Sequence, residues 1–306
     1  MGVSVAEYFG QRTDVDTLIE PCPIGADRYC PFSSGNKCRK LKSKKHPVCS
    51  VRKADGTLWI VCPERLCSTK KDTPITYYQE QILLDVGRHI YSPEIRDTDI
   101  CVKREVPLSV NAGTRYKADY IMSLRNGKSP YPGPDRVILE MQGGGETTNT
   151  GKLTKLVSSW RENEERTNAM LRAETEASTL ETNAWRRQQE QFIVKGNIAM
   201  KTWKGYGIAF CMGTLLYDYL KNKLEGAHLP NLKNYNWTLA LLAFKEDTSN
   251  PPVVGPIPLC IDDTRVLYTN YQTFVQALIN QGEPSLDAFV GEFRTVYNER
   301  VRIDQP

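Results

Sequence analysis

Six residues, Val137-Ile138-Leu139-Glu140-Met141-Gln142, set the tightest limit on how this chain can fold. Side chains alternate faces along a strand. Val137, Leu139 and Met141 therefore face one way, toward a core, and Glu140 and Gln142 the other. A carboxylate in so apolar a strand is costly unless something compensates it. A second β-prone run, Lys117-Ala118-Asp119-Tyr120-Ile121-Met122, lies upstream. Between the two, Asn126-Gly127-Lys128-Ser129-Pro130 and Tyr131-Pro132-Gly133-Pro134 carry the Gly and Pro punctuation of a connection. Two adjacent strands would bring Asp119 toward Glu140. Close carboxylates repel, and a hard divalent cation such as Mg²⁺, which takes carboxylate oxygens and keeps several waters, removes the repulsion. Such a site suits hydrolysis of a phosphodiester. The bland alternative is a strand-edge Asp and a salt-bridged Glu that meet by chance.

The start of the chain is different in kind. Six of the nine cysteines, Cys22, Cys30, Cys38, Cys49, Cys62 and Cys67, fall in the first 67 residues. In a chain without a secretory signal such clustering argues for metal rather than disulfides, since four thiolates close a tetrahedral site. No Cys-x-x-Cys pair is present, so the spacing is not that of a common zinc finger, and buried small hydrophobes are the competing reading. Between Cys38 and Cys49 runs Arg39-Lys40-Leu41-Lys42-Ser43-Lys44-Lys45-His46. Counting Lys37, six of the nine residues 37–45 are Lys or Arg with no acid among them. Lys40, Lys42, Lys44 and Lys45 are candidate phosphate-backbone contacts, pinned between cysteines; a solvated loop is the alternative. Lys53-Ala54-Asp55-Gly56-Thr57 predicts a hairpin turn into a strand at Leu58–Val61.

Helical spacing of Ile75, Tyr78, Ile82, Leu83, Val86 and Ile90 predicts an amphipathic helix over 73–90. Val102–Val110 reads as a strand carrying Glu105. Helix follows through about Trp160, then an almost uniformly polar stretch, Arg161–Glu190, which suits a helical segment that is bridging, partnered or poorly ordered. Trp185–Lys204 regains an apolar face and carries Arg186, Arg187 and Lys195, candidate DNA contacts with solvated helix positions as the alternative. Strands are predicted at Tyr206–Met212, Trp237–Phe244 and Val266–Thr269, and helices at Leu215–Leu224, Tyr271–Asn280 and Leu286–Val301. The mixture implies α/β architecture, helices on a central sheet.

Several classes drop out. No apolar stretch is long enough to span a membrane, and the first residues, Met1-Gly2-Val3-Ser4-Val5-Ala6, lack the pattern of a secretory signal; a cytoplasmic location is the expectation. Gly143-Gly144-Gly145-Glu146-Thr147-Thr148-Asn149-Thr150-Gly151-Lys152-Leu153 approaches a phosphate-binding loop but fails it: five residues separate Gly145 from Gly151 where four are needed, and Leu153 stands where a hydroxyl is required. None of the three histidines, His46, His89 and His228, adjoins a nucleophile in a recognisable motif. The net charge of +4 permits a nucleic-acid partner without demanding one.

The order Tyr8-Phe9-Gly10, Cys30-Pro31-Phe32, Cys38, Cys49-Ser50-Val51, Trp59-Ile60-Val61-Cys62-Pro63-Glu64-Arg65, Asp119, Ile138-Leu139-Glu140-Met141-Gln142, Asn183-Ala184-Trp185-Arg186-Arg187, Gln191 and Lys195-Gly196 resembles the NotI-like type II restriction endonucleases. The resemblance implies a PD-(D/E)XK nuclease core, a mixed central sheet flanked by helices, over 73–306. It implies a small four-cysteine metal-binding module over 1–72, with Cys30, Cys38, Cys49 and Cys62 holding structural iron or zinc. Asp119 and Glu140 match the Mg²⁺-binding acids, Gln142 a Gln that these enzymes carry where the wider superfamily has Lys, and Glu105 an additional upstream acid. A homodimer cutting both strands of a short palindromic DNA site in a prokaryotic cytoplasm is the implied setting. A non-catalytic metal-knuckle DNA-binding protein and a repair or structure-specific nuclease are the alternatives.

Overall fold

The protein is described from a computed structural model covering residues 2–33, 35–67, 73–109, 113, 115–143, 151–177, 181–202, 206–280 and 290–304. In chain order the first elements are β1 (Gly2–Tyr8), β2 (Gln11–Arg12), α1 (Arg39–Lys42), β3 (Val48–Lys53), β4 (Leu58–Ile60) and α2 (Tyr77–Ile90). Next come β5 (Ile100–Ser109), β6 (Arg115–Leu124), β7 (Arg136–Gln142), α3 (Gly151–Glu162), α4 (Asn168–Leu171), β8 (Thr175–Glu176) and α5 (Glu181–Thr202). The last are β9 (Tyr206–Gly213), α6 (Thr214–Lys223), β10 (Leu239–Glu246), β11 (Leu259–Thr269), α7 (Tyr271–Ile279), β12 (Gly291–Arg294) and β13 (Arg300–Ile303).

The larger sheet runs β11-β10-β9-β7-β6-β5. Its centre is parallel, β7 beside β9 and β9 beside β10, and its flanks are antiparallel. Strands covered on both faces read as continuous apolar runs, and Gly207–Gly213 of β9 is buried throughout. One face packs on α2 through Ile82, Leu83, Val86 and Ile90. The other packs on α5, α6 and α7 through Trp185, Phe192, Leu216, Leu220 and Phe274. The chain is thus mixed α/β, and no helix among the described residues is long and apolar enough to cross a membrane. The start of α2 follows from Thr76, whose side chain accepts from the Gln79 amide at 3.2 Å while the Gln79 side chain accepts from the Thr76 amide at 3.0 Å. Thr76→Ala should therefore lower the urea-unfolding free energy by about 1 kcal/mol.

The smaller sheet is antiparallel, β2-β1-β3-β4, with β8 on the outer edge of β1. Asp55 makes the predicted turn, accepting from the Thr57 amide at 2.9 Å while Gly56 takes φ +85°. The cover of this sheet comes from far along the chain. Leu153, Val157 and Trp160 of α3 and Leu171 of α4 pack on Val3, Val5, Tyr8 and Trp59. The polar stretch after Arg161 is thus explained in part: α4 and β8 bind back to the sheet of residues 2–60, and residues 151–177 belong structurally with the cysteine-rich start.

A buried polar centre joins the two sheets. Arg65 and Glu7 are fully buried, with Arg65 Nε 2.5 Å from Glu7 Oε2 and Nη2 2.8 Å from Oε1. Ser50 Oγ donates to the same carboxylate at 2.5 Å and the Ile257 amide at 2.7 Å. The guanidinium lies over the rings of Phe32 and Tyr78, at 4.6 and 4.9 Å.

The predicted helix over Leu286–Val301 is corrected. Residues 281–289 lie outside the described residues, and β12 and β13 form an antiparallel hairpin instead. Phe293, Val296, Tyr297 and Val301 fall at helix-like intervals, but the five residues between the strands turn the chain back, with Asn298 left-handed at φ +73°.

Candidate functional site: a row of carboxylates across three strands

β5, β6 and β7 are neighbours at one side of the larger sheet. Tyr120 stands opposite Leu139 and Ile121 opposite Ile138. One step along the same register sets Asp119 opposite Glu140. On the other side Arg104 pairs with Tyr120 and Val106 with Ala118, which brackets Glu105 and Asp119 between two paired steps. The three acids thus sit on three adjacent strands, with the charge of Glu105 acting on Asp119 and that of Asp119 on Glu140. Glu105 itself drops out of the ladder, with φ +47°, a conformation that a side-chain-bearing residue holds only under constraint from its surroundings. Lys117 Nζ lies 3.1 Å from Glu105 Oε1.

The row is held together and partly sealed. Asp119 Oδ2 accepts from the Met141 amide at 2.9 Å, which ties one acid to the strand that carries the next. Glu140 is 5% exposed. Its Oε2 accepts from Lys195 Nζ at 2.7 Å, and its Oε1 is buried with no hydrogen-bond partner among the described residues. Lys195, a candidate DNA contact with a solvated helix position as the alternative, is 1% exposed, and its ammonium lies against Glu140. The helical period explains this. Trp185, Phe192 and Ala199 mark the buried stripe of α5, and Lys195 stands three residues after Phe192 and four before Ala199.

Burial, then the charge of Asp119, push the Glu140 carboxyl up to about 8, against the pull of the Lys195 ammonium. Burial also raises Asp119, opposed by the Met141 amide and Lys195, with Glu64 and Glu105 adding to the rise. The sign of the pH effect follows. An acid raised in the folded state contributes stability that is fully present below its unfolded value of 4.5 and is lost as pH rises through about 8. In EDTA, urea midpoints of the wild type should fall more steeply between pH 5 and 8 than those of Glu140→Gln. Equal slopes would remove Glu140 as the cause.

Gln142 is half-buried and shares the Glu140 face. The end of β7 butts against the cysteine-rich sheet: a Cβ on Gly143 would stand 3.3 Å from the Ile60 carbonyl oxygen and 3.5 Å from that of Cys62. The turn at Pro63–Arg65 therefore walls the site, and this is why Glu64 acts on Asp119. Arg39 Nη1 lies 3.3 Å from Glu64 Oε1, which anchors the basic run beside the same wall. Lys42, Lys44 and Lys45 are exposed, while Lys40, which donates to the Val48 carbonyl, is partly buried at that contact. The side chains of Arg186 and Arg187 lie outside the described residues, as does the glycine turn at 144–150. Lys195 and Glu64 are the two residues whose place beside the carboxylates sequence reasoning missed. The first was signalled by a Lys on an apolar stripe; the second had no local signal, because only tertiary packing brings it near.

Cys30, Cys38, Cys49 and Cys62 are gathered at the junction of the same sheet. Cys49 and Cys62 share an apolar cluster with Cys30, and Cys38 packs in the neighbouring cluster that Cys30 also touches. Burial raises the thiols of Cys30, Cys49 and Cys62, and neighbouring cysteines add to the rise. Cys22 packs near Cys38, and Cys67 hydrogen-bonds the Tyr120 hydroxyl at 3.2 Å instead. Among the described residues no three His, Cys, Asp or Glu side chains converge closely enough to grip an ion as they stand. The donor sets nevertheless fit the ions in question. The orphaned Glu140 Oε1 beside Asp119 suits a hard cation, and a cluster of buried thiols suits iron or zinc. No family model matches the chain, and no curated protein matches it.

Proposed function

We propose that the protein is a type II restriction endonuclease that hydrolyses phosphodiesters of double-stranded DNA at a short palindromic site, acting as a homodimer with Mg²⁺. The observation that carries this reading is the neighbourhood of Glu105, Asp119 and Glu140, whose charges act on one another, with one buried Glu140 oxygen lacking a hydrogen-bond partner among the described residues. A protein that only binds DNA has no use for three acids facing polyphosphate. Asp119 and Glu140 would hold Mg²⁺, and Glu105 would support the same ion from β5. When bound, that ion would activate water and screen the charge developing on phosphorus. Gln142, on the Glu140 face at the strand end, would orient the attacking water by its amide. The exposed Lys42, Lys44 and Lys45 would engage the phosphate backbone. Cys30, Cys38, Cys49 and Cys62 would hold iron or zinc and so fix the turn that carries Glu64 and the basic run that carries Arg39.

Digestion of phage DNA tests the reading. Discrete bands with Mg²⁺ and none with EDTA are expected. A smear without fixed ends would point to a repair or structure-specific nuclease, and intact DNA under all conditions would end the enzymatic reading. Elemental analysis of the undenatured protein should find about one iron or zinc per chain if the four thiolates close one tetrahedral site.

A further inference from the structure

The pair Lys195–Glu140 is unusual for its place. Both partners are nearly sealed from water, at 1% and 5% exposure, and the ammonium sits 2.7 Å from one carboxylate oxygen while the other oxygen has no hydrogen-bond partner among the described residues. The ammonium comes from α5, which packs its Trp185–Phe192 stripe on this face of the sheet, so its position is set by helix packing and not by the strands that carry the acids. A buried carboxylate opposite a second one requires positive charge nearby. Among the described residues, the ammonium that meets Glu140 is that of Lys195.

We propose that Lys195 is the resident counter-cation of the carboxylate row: it holds Glu140 when no divalent ion is present, and an incoming ion must compete with it for that carboxylate. Lys195 is thus a positioning residue that sets the metal affinity of the site. The inference rests on the nuclease reading for the identity of the ion. Two consequences separate it from a purely structural ion pair. Removing the ammonium should strengthen divalent-ion binding, because Glu140 then lacks its internal partner. The metal-free protein should be destabilised by the same change, because the buried Glu140 carboxyl loses its ammonium partner, and the ion should restore the loss.

The test uses the full chain and Ca²⁺ as the probe, titrated by calorimetry and by thermal melting. Lys195→Met, which keeps much of the side-chain length, should bind Ca²⁺ about tenfold more tightly than the wild type or better. It should melt lower than wild type in EDTA and approach it in saturating Ca²⁺. Lys195→Arg keeps the charge and should return Ca²⁺ affinity to within about threefold of wild type. If Lys195→Met does not fold in EDTA, folding restored by Ca²⁺ supports the proposal, and failure to fold in Ca²⁺ with a folded Lys195→Gln of wild-type affinity overturns it. A folded Lys195→Met with unchanged or weaker Ca²⁺ binding also overturns it, while the nuclease reading survives if the wild type still cleaves. A wild type that neither binds Ca²⁺ nor cleaves with Mg²⁺ removes the nuclease reading and the proposal with it.

Discussion

Asp119→Asn should lower Mg²⁺-dependent cleavage of duplex DNA by about 10³-fold or more, at a fixed metal concentration below saturation. A ligated divalent ion supplies several kcal/mol of transition-state charge stabilisation, and each 1.36 kcal/mol is tenfold in rate. The amide is close to the carboxylate in shape, and its carbonyl oxygen can keep the hydrogen bond from the Met141 amide, now 2.9 Å from Oδ2. The fold should therefore survive, with a urea midpoint near that of the wild type, since Asp119 is itself half-buried and its charge is opposed by Glu64 and Glu105. Single-turnover plasmid cleavage beside a denaturation curve reads both quantities. A folded Asp119→Asn that cuts at wild-type rate would show that the carboxylate row has no part in the chemistry.

Glu7→Ala should be the most destabilising single change remote from that row, at about 3–5 kcal/mol. The carboxylate satisfies Arg65, Ser50 and the Ile257 amide at once, at 2.5–2.8 Å, and all of it lies out of water. Its loss leaves a guanidinium buried without its anion, and the rings of Phe32 and Tyr78 do not replace that charge. Replacing both partners, Glu7→Leu with Arg65→Met, should recover most of the loss, because two apolar side chains leave no charge uncompensated. Chemical denaturation of the wild type and the two variants separates the outcomes. A Glu7→Ala protein within about 1 kcal/mol of wild type would mean that water reaches the centre.

How much of this could be read in the sequence depends on how local each cause is. Asp119 and Glu140 were legible because alternation along a strand and the Gly-Pro connection between two strands leave little freedom of register. Glu105 was placed one strand further out, although its φ of +47° has no sequence signal. The capped start of α2 and the Asp55-Gly56 turn were also local. The contact of Lys195 with Glu140 was hidden because α5 is polar over its first turns, and the stripe of Trp185, Phe192 and Ala199 had to be drawn before the Lys on it stood out. The helix expected over Leu286–Val301 failed because Phe293, Val296, Tyr297 and Val301 have a spacing that a helix and a hairpin with a five-residue turn both satisfy. Glu64 was beyond local reading altogether: it reaches the row only because the end of β7 meets the turn after Cys62.

Between the strand that bears Glu140 and the helix that bears Lys195, the chain leaves its own sheet, lays α3, α4 and β8 on the other one, and returns. The two halves of the molecule are therefore interlaced like the fingers of folded hands. Recombination that exchanged only the first 67 residues between two such chains would strand Leu153, Val157 and Trp160 against a foreign surface. The unit that carries the cysteines is therefore discontinuous in the chain, residues 2–60 together with 151–177.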